Sequence, residues 1–197
     1  MLEAFVVSAG IVALAEIGDK TQLLSLMLAA RYRKPLPIVL GVLSATLINH
    51  AGAGGLGAWL SHALSPAVLN WVVVVSFLGM AGWVLVPDRL DASDVVVPKT
   101  PLGVYGATAL AFFMAEMGDK TQIATIALAA RFQQFYAVVG GTTLAMLAAN
   151  VPAIYLGHRF AGRLPARAVH AVAGLLFLLL GALALRNALA GVPMAAP

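Results

Sequence analysis

Two short charged motifs interrupt long apolar runs, and they constrain this chain more than any other feature of its sequence. The chain carries EIGDKT at residues 16–21 and EMGDKT at residues 116–121. When residues 15–31 are aligned with residues 115–131, eleven of the seventeen positions are identical. The offset of 100 residues in a chain of 197 indicates that the protein consists of two copies of one unit.

Composition identifies the solvent around these motifs. Hydrophobic residues make up 61% of the chain and charged residues 10%, whereas about a quarter of the residues of a soluble domain are charged. The chain is therefore predicted to be an integral membrane protein. It has no cysteine, which excludes disulfides, thiolate metal sites and cysteine nucleophiles. We attribute the net charge of +4 to membrane topology and expect no nucleic-acid partner.

The apolar segments predict an all-α protein with six transmembrane helices. A hydrocarbon core about 30 Å thick requires roughly 20 helical residues, and six segments have that length. The predicted spans are about 2–30, 36–60, 67–86, 102–130, 135–156 and 166–190. Residues 1–86 then form the first three-helix repeat, residues 87–101 a charged linker bounded by prolines, and residues 102–197 the second repeat.

Three spans per repeat predict that the two repeats have opposite orientations in the membrane. The basic residues then predict which side faces the cytoplasm, because cytoplasmic loops are enriched in Lys and Arg. Eight lie on one side: Arg31, Arg33, Lys34, Arg89, Lys99, Arg159, Arg163 and Arg167. Only Arg131 and Arg186 lie on the other. The linker is therefore expected in the cytoplasm and both termini outside it.

The motif charges lie near the middle of their spans, where each ionised residue costs roughly 2.5–3.5 kcal/mol to insert. On a continuous helix, Glu16, Asp19 and Lys20 would share one face. One interpretation is that Glu16 and Lys20 form an ion pair that holds helices together. The second copy favours another interpretation, because inverted repeats bring both motifs together at the midplane.

Such a cluster would contain four carboxylates and two ammonium groups, with a net charge of minus two if all six ionise. A divalent cation neutralises that charge, and oxygen ligands suit Ca²⁺ or Mn²⁺, whereas Cu⁺ prefers sulfur. Gly18 and Gly118 either break the helices, so that backbone carbonyls become available, or allow two helices to cross closely. Carboxylates also bind protons, so exclusive binding of metal or protons would give antiport.

The paired Glu-x-Gly-Asp-Lys-Thr motifs resemble the signature of the Gdt-type cation:proton antiporter family, which includes bacterial manganese exporters and Golgi transmembrane homologues. The resemblance covers essentially the whole chain. It implies export of Mn²⁺, with Ca²⁺ also handled by some members, in exchange for protons and without a permanently bound cofactor. It assigns Glu16, Asp19, Glu116 and Asp119 as the metal and proton ligands. The short linker and the absence of an N-terminal targeting extension favour a bacterial inner membrane over the Golgi.

The same resemblance suggests supporting roles for the lysines and threonines beside the four acids, and the glutamines, His50 and Asn150 are further candidates from their positions in the spans. Lys20 and Lys120 are expected to tune the pKa values of the acids and to take the place of the cation when the site is empty. Thr21 and Thr121 are candidate oxygen donors or hydrogen-bond partners of the ligands. Gln22 and Gln122 either bind the ion directly or form hydrogen bonds between helices. His50 and the equivalent Asn150 are weaker candidates for the ion path, because a buried histidine at a helix contact is the commoner case.

Three other functions fit parts of the same pattern. The carboxylates can bind the cationic group of a basic amino acid, which would make the protein an exporter of that solute. Two facing aspartates also describe an intramembrane aspartyl protease, but Glu16 and Glu116 occupy the position of the first glycine in that enzyme's Gly-x-Gly-Asp motif. A passive channel would lack proton dependence. The expected partners are membrane lipid and a divalent cation, and the glycine-rich second span offers a surface for internal packing or for a homodimer.

Overall fold

The computed structural model describes residues 1–86, 102–156 and 166–191, and within these ranges the chain is entirely α-helical. Side-chain surroundings are described for residues 1–86, 102–155 and 171–191. The helices are α1 (Leu2–Glu16), α2 (Lys20–Tyr32), α3 (Pro35–Ala63), α4 (Pro66–Trp83), α5 (Gly103–Glu116), α6 (Lys120–Phe132), α7 (Phe135–Leu156) and α8 (Ala166–Leu189). The predicted linker at 87–101 lies outside the described residues, as do Arg159 and Arg163.

The structure contains more helices than the sequence predicts. The first and fourth predicted spans are each divided in two, so that eight helices stand in the described ranges where six were expected. Both divisions fall inside a charged motif, between Glu16 and Lys20 and between Glu116 and Lys120. Of the two roles considered for Gly18 and Gly118, the structure therefore supports the helix break, and the prediction of an all-α chain is confirmed within the described ranges.

Among the described residues, four helices are long and apolar enough to cross a membrane on their own: Pro35–Ala63, Pro66–Trp83, Phe135–Tyr155 and Ala171–Leu189. Large apolar side chains point outward from them, among them Ile48, Trp59, Val75 and Leu175. An outer surface of this kind suits lipid better than water, where large exposed apolar patches are rare. The helices therefore belong to a multi-pass membrane protein.

The two repeats interlock, because most helix contacts join one repeat to the other. Helix α1 packs on α7, α3 packs on α5 and α6, and α4 packs on α8. Glycines allow these close contacts. A Cβ at Gly41 would lie 2.8 Å from the carbonyl oxygen of Tyr105 in α5, and one at Gly141 would lie 2.5 Å from that of Phe5 in α1.

These contacts are duplicated at the offset of the sequence repeat. Gly41 and Gly141 occupy equivalent positions in α3 and α7, and each contacts the first helix of the opposite repeat. The equivalent Phe77 and Phe177 are both buried, and their ring centroids lie 6.2 Å apart between α4 and α8. Because each repeat supplies half of every such contact, neither repeat buries its apolar surface alone.

The duplication is incomplete around α2 and α6, which are the second helices of the two divided spans. Helix α6 packs against α4, whereas the equivalent contact of α2 with α8 is at most marginal in the described part of the chain. Ala127 and Ala130 of α6 are buried, but the equivalent Met27 of α2 is 41% exposed and Ala30 is exposed as well. Helix α2 is therefore the more loosely packed of the two.

Candidate cation site

A break in the helix positions the side chains of each motif. After Glu16 ends α1, Ile17 is extended and Gly18 adopts a φ of +82°. Met117 is likewise extended and Gly118 has a φ of +74°. This left-handed conformation favours glycine, because a Cβ makes it costly for other residues. A Cβ on Gly118 would meet no atom within 4 Å, so this glycine serves the backbone turn and not a close helix crossing.

Side chains and backbone of the motif stabilise the break. The amide of Asp19 donates to the carbonyl of Glu16 at 3.1 Å, and the Asp119 amide donates to Glu116 at 3.2 Å. In addition, a glutamine in the first turn of α2 and of α6 accepts a hydrogen bond from the motif glycine. The Gly18 amide donates to Gln22 Oε1 at 3.1 Å. The equivalent bond in the second repeat, from Gly118 to Gln122, is 2.8 Å long. This resembles the capping of a helix by a Gln in its first turn, which satisfies an exposed amide.

Three of the four predicted acids lie together at these breaks. Glu16, Asp19 and Asp119 each offer a carboxylate oxygen, and the three oxygens lie within 4.8 Å of one another. All three side chains are buried, with 0%, 3% and 4% of their surface exposed. The group combines two acids of the first repeat with one of the second, so it depends on the contact between repeats.

The fourth acid, Glu116, is buried nearby but is not a member of this group. Its side chain is 1% exposed, and it lies close enough to Glu16 for the two carboxylates to interact electrostatically. The structure therefore places all four acids in one buried region, with Glu16, Asp19 and Asp119 at its centre and Glu116 beside them.

Threonine hydroxyls hold one oxygen of each glutamate. Thr21 Oγ1 donates to Glu16 Oε2 at 2.8 Å and lies 3.5 Å from Asp19 Oδ2. Thr121 Oγ1 donates to Glu116 Oε2 at 3.2 Å. The two predicted threonines therefore hydrogen-bond the predicted ligands, one in each repeat.

Three carboxylate oxygens accept no hydrogen bond from any described residue: Glu16 Oε1, Glu116 Oε1 and Asp119 Oδ2. Buried polar atoms almost always have a partner, and an isolated buried carboxylate is very costly. These oxygens are therefore available to a bound cation or to protons.

The two motif lysines have different partners. Lys20 Nζ forms an ion pair with Asp119 Oδ1 at 2.9 Å, across the interface between the repeats. Lys120 Nζ instead donates to the backbone carbonyl of Val86, just beyond the end of α4, at 2.7 Å. Sequence reasoning treats the two lysines alike, but the structure separates them.

Polar side chains of α2 connect the motif to α7. Gln22 Nε2 donates to the carbonyl of Ala149 at 3.1 Å, and Ser25 Oγ donates to Asn150 Oδ1 at 2.7 Å. Asn150 donates in turn to the Met146 carbonyl at 3.0 Å. Gln22 therefore makes the contact between helices that was one of its two predicted roles, and Asn150 is a hydrogen-bond partner of α2.

His50 is buried at a helix contact and is not a member of the three-acid group. Its Nδ1 lies 3.4 Å from Thr143 Oγ1, between α3 and α7. The neighbouring Asn49 donates to the carbonyl of Phe113, which precedes the second motif, at 3.2 Å. Asn49 thus contacts the motif helix more directly than His50 does.

Sequence reasoning missed the backbone acceptors at this site. The Val86 carbonyl accepts from Lys120 and the Ala149 carbonyl accepts from Gln22. Both belong to apolar residues, so no side-chain pattern distinguishes them from their neighbours. The only available signal was the break itself, since a broken helix leaves long polar side chains in need of new partners.

Comparison with known proteins supports a transport function. The family described as "Divalent cation/proton antiporter GDT1" matches the chain twice, at residues 4–92 and 104–191. A protein of Vibrio cholerae serotype O1 named "Putative manganese exporter" is 50% identical over 181 residues, which cover 91% of this chain and 89% of that protein.

More distant relatives have the same extent. "GDT1-like protein sll0615" of Synechocystis is 31% identical over 201 residues, covering 91% of this chain and 95% of that protein. "GDT1-like protein 3" of Arabidopsis thaliana is 27% identical over 203 residues, covering 90% and 69% respectively. No solved structure matches the chain.

Proposed function

The chain belongs to the GDT1 family of divalent cation/proton antiporters, and we propose that it exports Mn²⁺ in exchange for protons, with Ca²⁺ as a second substrate. Its family membership makes it a membrane transporter and not an enzyme. The relative named as a manganese exporter supports Mn²⁺ as the first substrate, since half of the aligned residues are identical.

One observation carries the proposal: buried carboxylates from both repeats converge, with oxygens of Glu16, Asp19 and Asp119 within 4.8 Å of one another. Such a group offers only oxygen ligands, which Mn²⁺ and Ca²⁺ accept. The charges of the three acids and of Lys20 sum to minus two when all four are ionised. A divalent ion compensates that charge, and protons on the same carboxylates do so as well.

We assign Glu16, Asp19, Glu116 and Asp119 as the groups that bind the metal ion and the protons. In the arrangement seen here, Glu16, Asp19 and Asp119 would coordinate the ion. Glu116 is the equivalent of Glu16 in the second repeat. We expect Glu116 to coordinate the ion instead of Glu16 in the alternate state, in which the two repeats have exchanged conformations. Thr21 and Thr121 orient the two glutamates, while Gln22 and Gln122 stabilise the breaks.

The proposed topology in the membrane follows from the two helix breaks. Each broken pair, α1–α2 and α5–α6, forms one span, so that six spans are arranged as two inverted repeats. Both termini lie outside the cytoplasm, and the membrane is the bacterial inner membrane. The breaks then lie at the midplane, as in other transporters with discontinuous helices. Rocking of one repeat against the other would expose the acids first to the cytoplasm and then to the outside.

Exclusive occupancy explains the exchange. A metal ion needs the carboxylates deprotonated, whereas a high proton concentration outside favours their protonation. An ion bound from the cytoplasm is therefore displaced outside, and protons travel in the opposite direction. Reorientation with empty, charged carboxylates is disfavoured, because unpaired charge is costly within the membrane.

The test is transport by the purified protein in liposomes that contain a pH-sensitive dye. Under an imposed pH gradient, Mn²⁺ should move against the proton flux, with Ca²⁺ moving more slowly and with protein-free liposomes as the control. Metal flux that does not depend on the pH gradient would indicate a channel or a uniporter and refute antiport. Inhibition and counterflow by arginine, without metal transport, would instead show an exporter of basic amino acids.

A further inference from the structure

Lys20 and Lys120 are equivalent in sequence but bind different groups. Lys20 Nζ lies 2.9 Å from Asp119 Oδ1, at the edge of the three-acid group, and its side chain is 23% exposed. Lys120 is 4% exposed, and its ammonium donates to the Val86 carbonyl at 2.7 Å. One lysine is thus held by a candidate ligand and the other by the backbone at the end of α4.

The ammonium of Lys20 binds one of the three carboxylates that would coordinate a cation. Asp119 contributes to the three-acid group, yet one of its oxygens already binds Lys20. A divalent ion coordinated by Asp119 lies within a few ångströms of that ammonium, where two positive charges repel strongly in a medium of low dielectric constant. Metal and Lys20 therefore compete for Asp119.

The packing of α2 allows Lys20 to withdraw. Leu23 and Met27, on the turns that follow Lys20, are 45% and 41% exposed. In α6 the equivalent Ala127 is 3% exposed, and the helix packs against α4. Because α2 lacks comparable packing on this face, the partly exposed side chain of Lys20 can turn away from Asp119, while Thr21 and Gln22 keep the first turn of α2 in place. Lys120 lacks this freedom, since α6 is packed more closely.

We propose that Lys20 is a tethered cation that holds Asp119 in the metal-free protein, is displaced when the metal binds, and returns to drive the metal off, whereas Lys120 anchors α6 to the end of α4. This inference rests on the proposed function, because it presumes that Asp119 binds the transported ion. It makes Lys20 a determinant of metal affinity and of metal release.

If Lys20 and the metal compete for Asp119, removing Lys20 should tighten metal binding but slow transport. The variant Lys20→Met retains the length and apolar stem of the side chain but not its charge. It should bind Mn²⁺ more tightly, by about tenfold or more, because the ion no longer displaces a bound ammonium. Its maximal transport rate should fall, because no returning cation assists release. Loss of a purely structural ion pair would weaken binding and would not tighten it.

The measurement is equilibrium Mn²⁺ binding to detergent-purified full-length protein, with free Mn²⁺ quantified by its electron paramagnetic resonance signal. Wild type, Lys20→Met and Lys20→Gln are compared, and Lys20→Gln provides a second, polar variant if Lys20→Met fails to fold. The same lysine substitution is then made in an Asp119→Asn background. If Lys20 acts through Asp119, removing it there should change the dissociation constant less than twofold.

Three outcomes would overturn the inference or separate it from the proposed function. Unchanged or weaker Mn²⁺ binding by both Lys20 variants would show that the ion pair only joins helices. Equal tightening by Lys120→Met would show a general charge effect and remove the distinction between the two lysines. Failure of the wild-type protein itself to bind Mn²⁺ would refute the proposed function, and the inference with it.

Discussion

The hydroxyl of Thr21 donates a 2.8 Å hydrogen bond to Oε2 of Glu16 and thereby joins the two helices on either side of the break. The acceptor is the last residue of α1 and the donor belongs to the first turn of α2. Because the bond leaves Glu16 Oε1 without a partner among the described residues, it both orients the glutamate and keeps one oxygen available.

Replacement of Thr21 by Val should weaken metal binding. Valine has a similar shape but no hydroxyl, so Glu16 loses its orienting donor, and such partners of ligands are typically worth about 10- to 100-fold in metal affinity. Thr21→Ser retains the hydroxyl and serves as the matched control. The dissociation constant for Mn²⁺ is measured for both variants. Equal affinities of Thr21→Val and wild type would show that Thr21 does not contribute to metal binding.

Neutralisation of the central acids should abolish transport without unfolding the protein. Glu16→Gln and Asp119→Asn preserve shape but remove a charged ligand and a protonatable group. We expect Mn²⁺ flux into proteoliposomes to fall by about 100-fold or more, since an uncharged ligand compensates the ion poorly in a buried site. Glu3→Gln is the control, because Glu3 is an exposed acid at the start of α1. Normal flux in either site variant would contradict the assignment.

The glycine of the break should resist substitution for reasons of backbone conformation. Gly118 has a φ of +74°, and a Cβ there meets no atom within 4 Å. Gly118→Ala should therefore cost about 1–2 kcal/mol from the left-handed conformation alone. Gly52→Ala in α3 also adds a methyl group to open space, but within a regular helix, where Ala is favoured over Gly. Thermal unfolding in detergent should show destabilisation of the first variant only.

A second pair of glycines tests the contact between α3 and α6. A Cβ on Gly57 would overlap the Ile126 carbonyl and lie 2.8 Å from Ala129 Cβ, whereas Gly55 has open space. Gly57→Ala should destabilise the protein by about 1–3 kcal/mol through overpacking, and Gly55→Ala should not. The free energy of unfolding in denaturant measures both. Comparable stability of the two variants would mean that α3 and α6 do not pack this closely.

Much of this architecture could be predicted from the chain alone. The apolar segments, the low charge content and the repeated motif determine an all-α membrane protein with two related halves. The motifs also predict the chemistry, because carboxylates inside apolar runs are typical of sites that bind a cation or protons. Even the helix break had a local cause, in a glycine flanked by residues that adopt extended conformations.

Only the tertiary structure decided which members of the two motifs meet. Identical sequences at residues 18–22 and 118–122 cannot indicate that Asp119 joins Glu16 and Asp19 while Glu116 lies outside the group. They also cannot indicate that Lys20 binds Asp119 while Lys120 binds the Val86 carbonyl. These differences arise from packing between the repeats, where α6 lies against α4 but the equivalent contact of α2 with α8 is at most marginal in the described ranges. Local sequence determines what each motif can bind, and the unequal surroundings of two equal motifs determine what each one does bind.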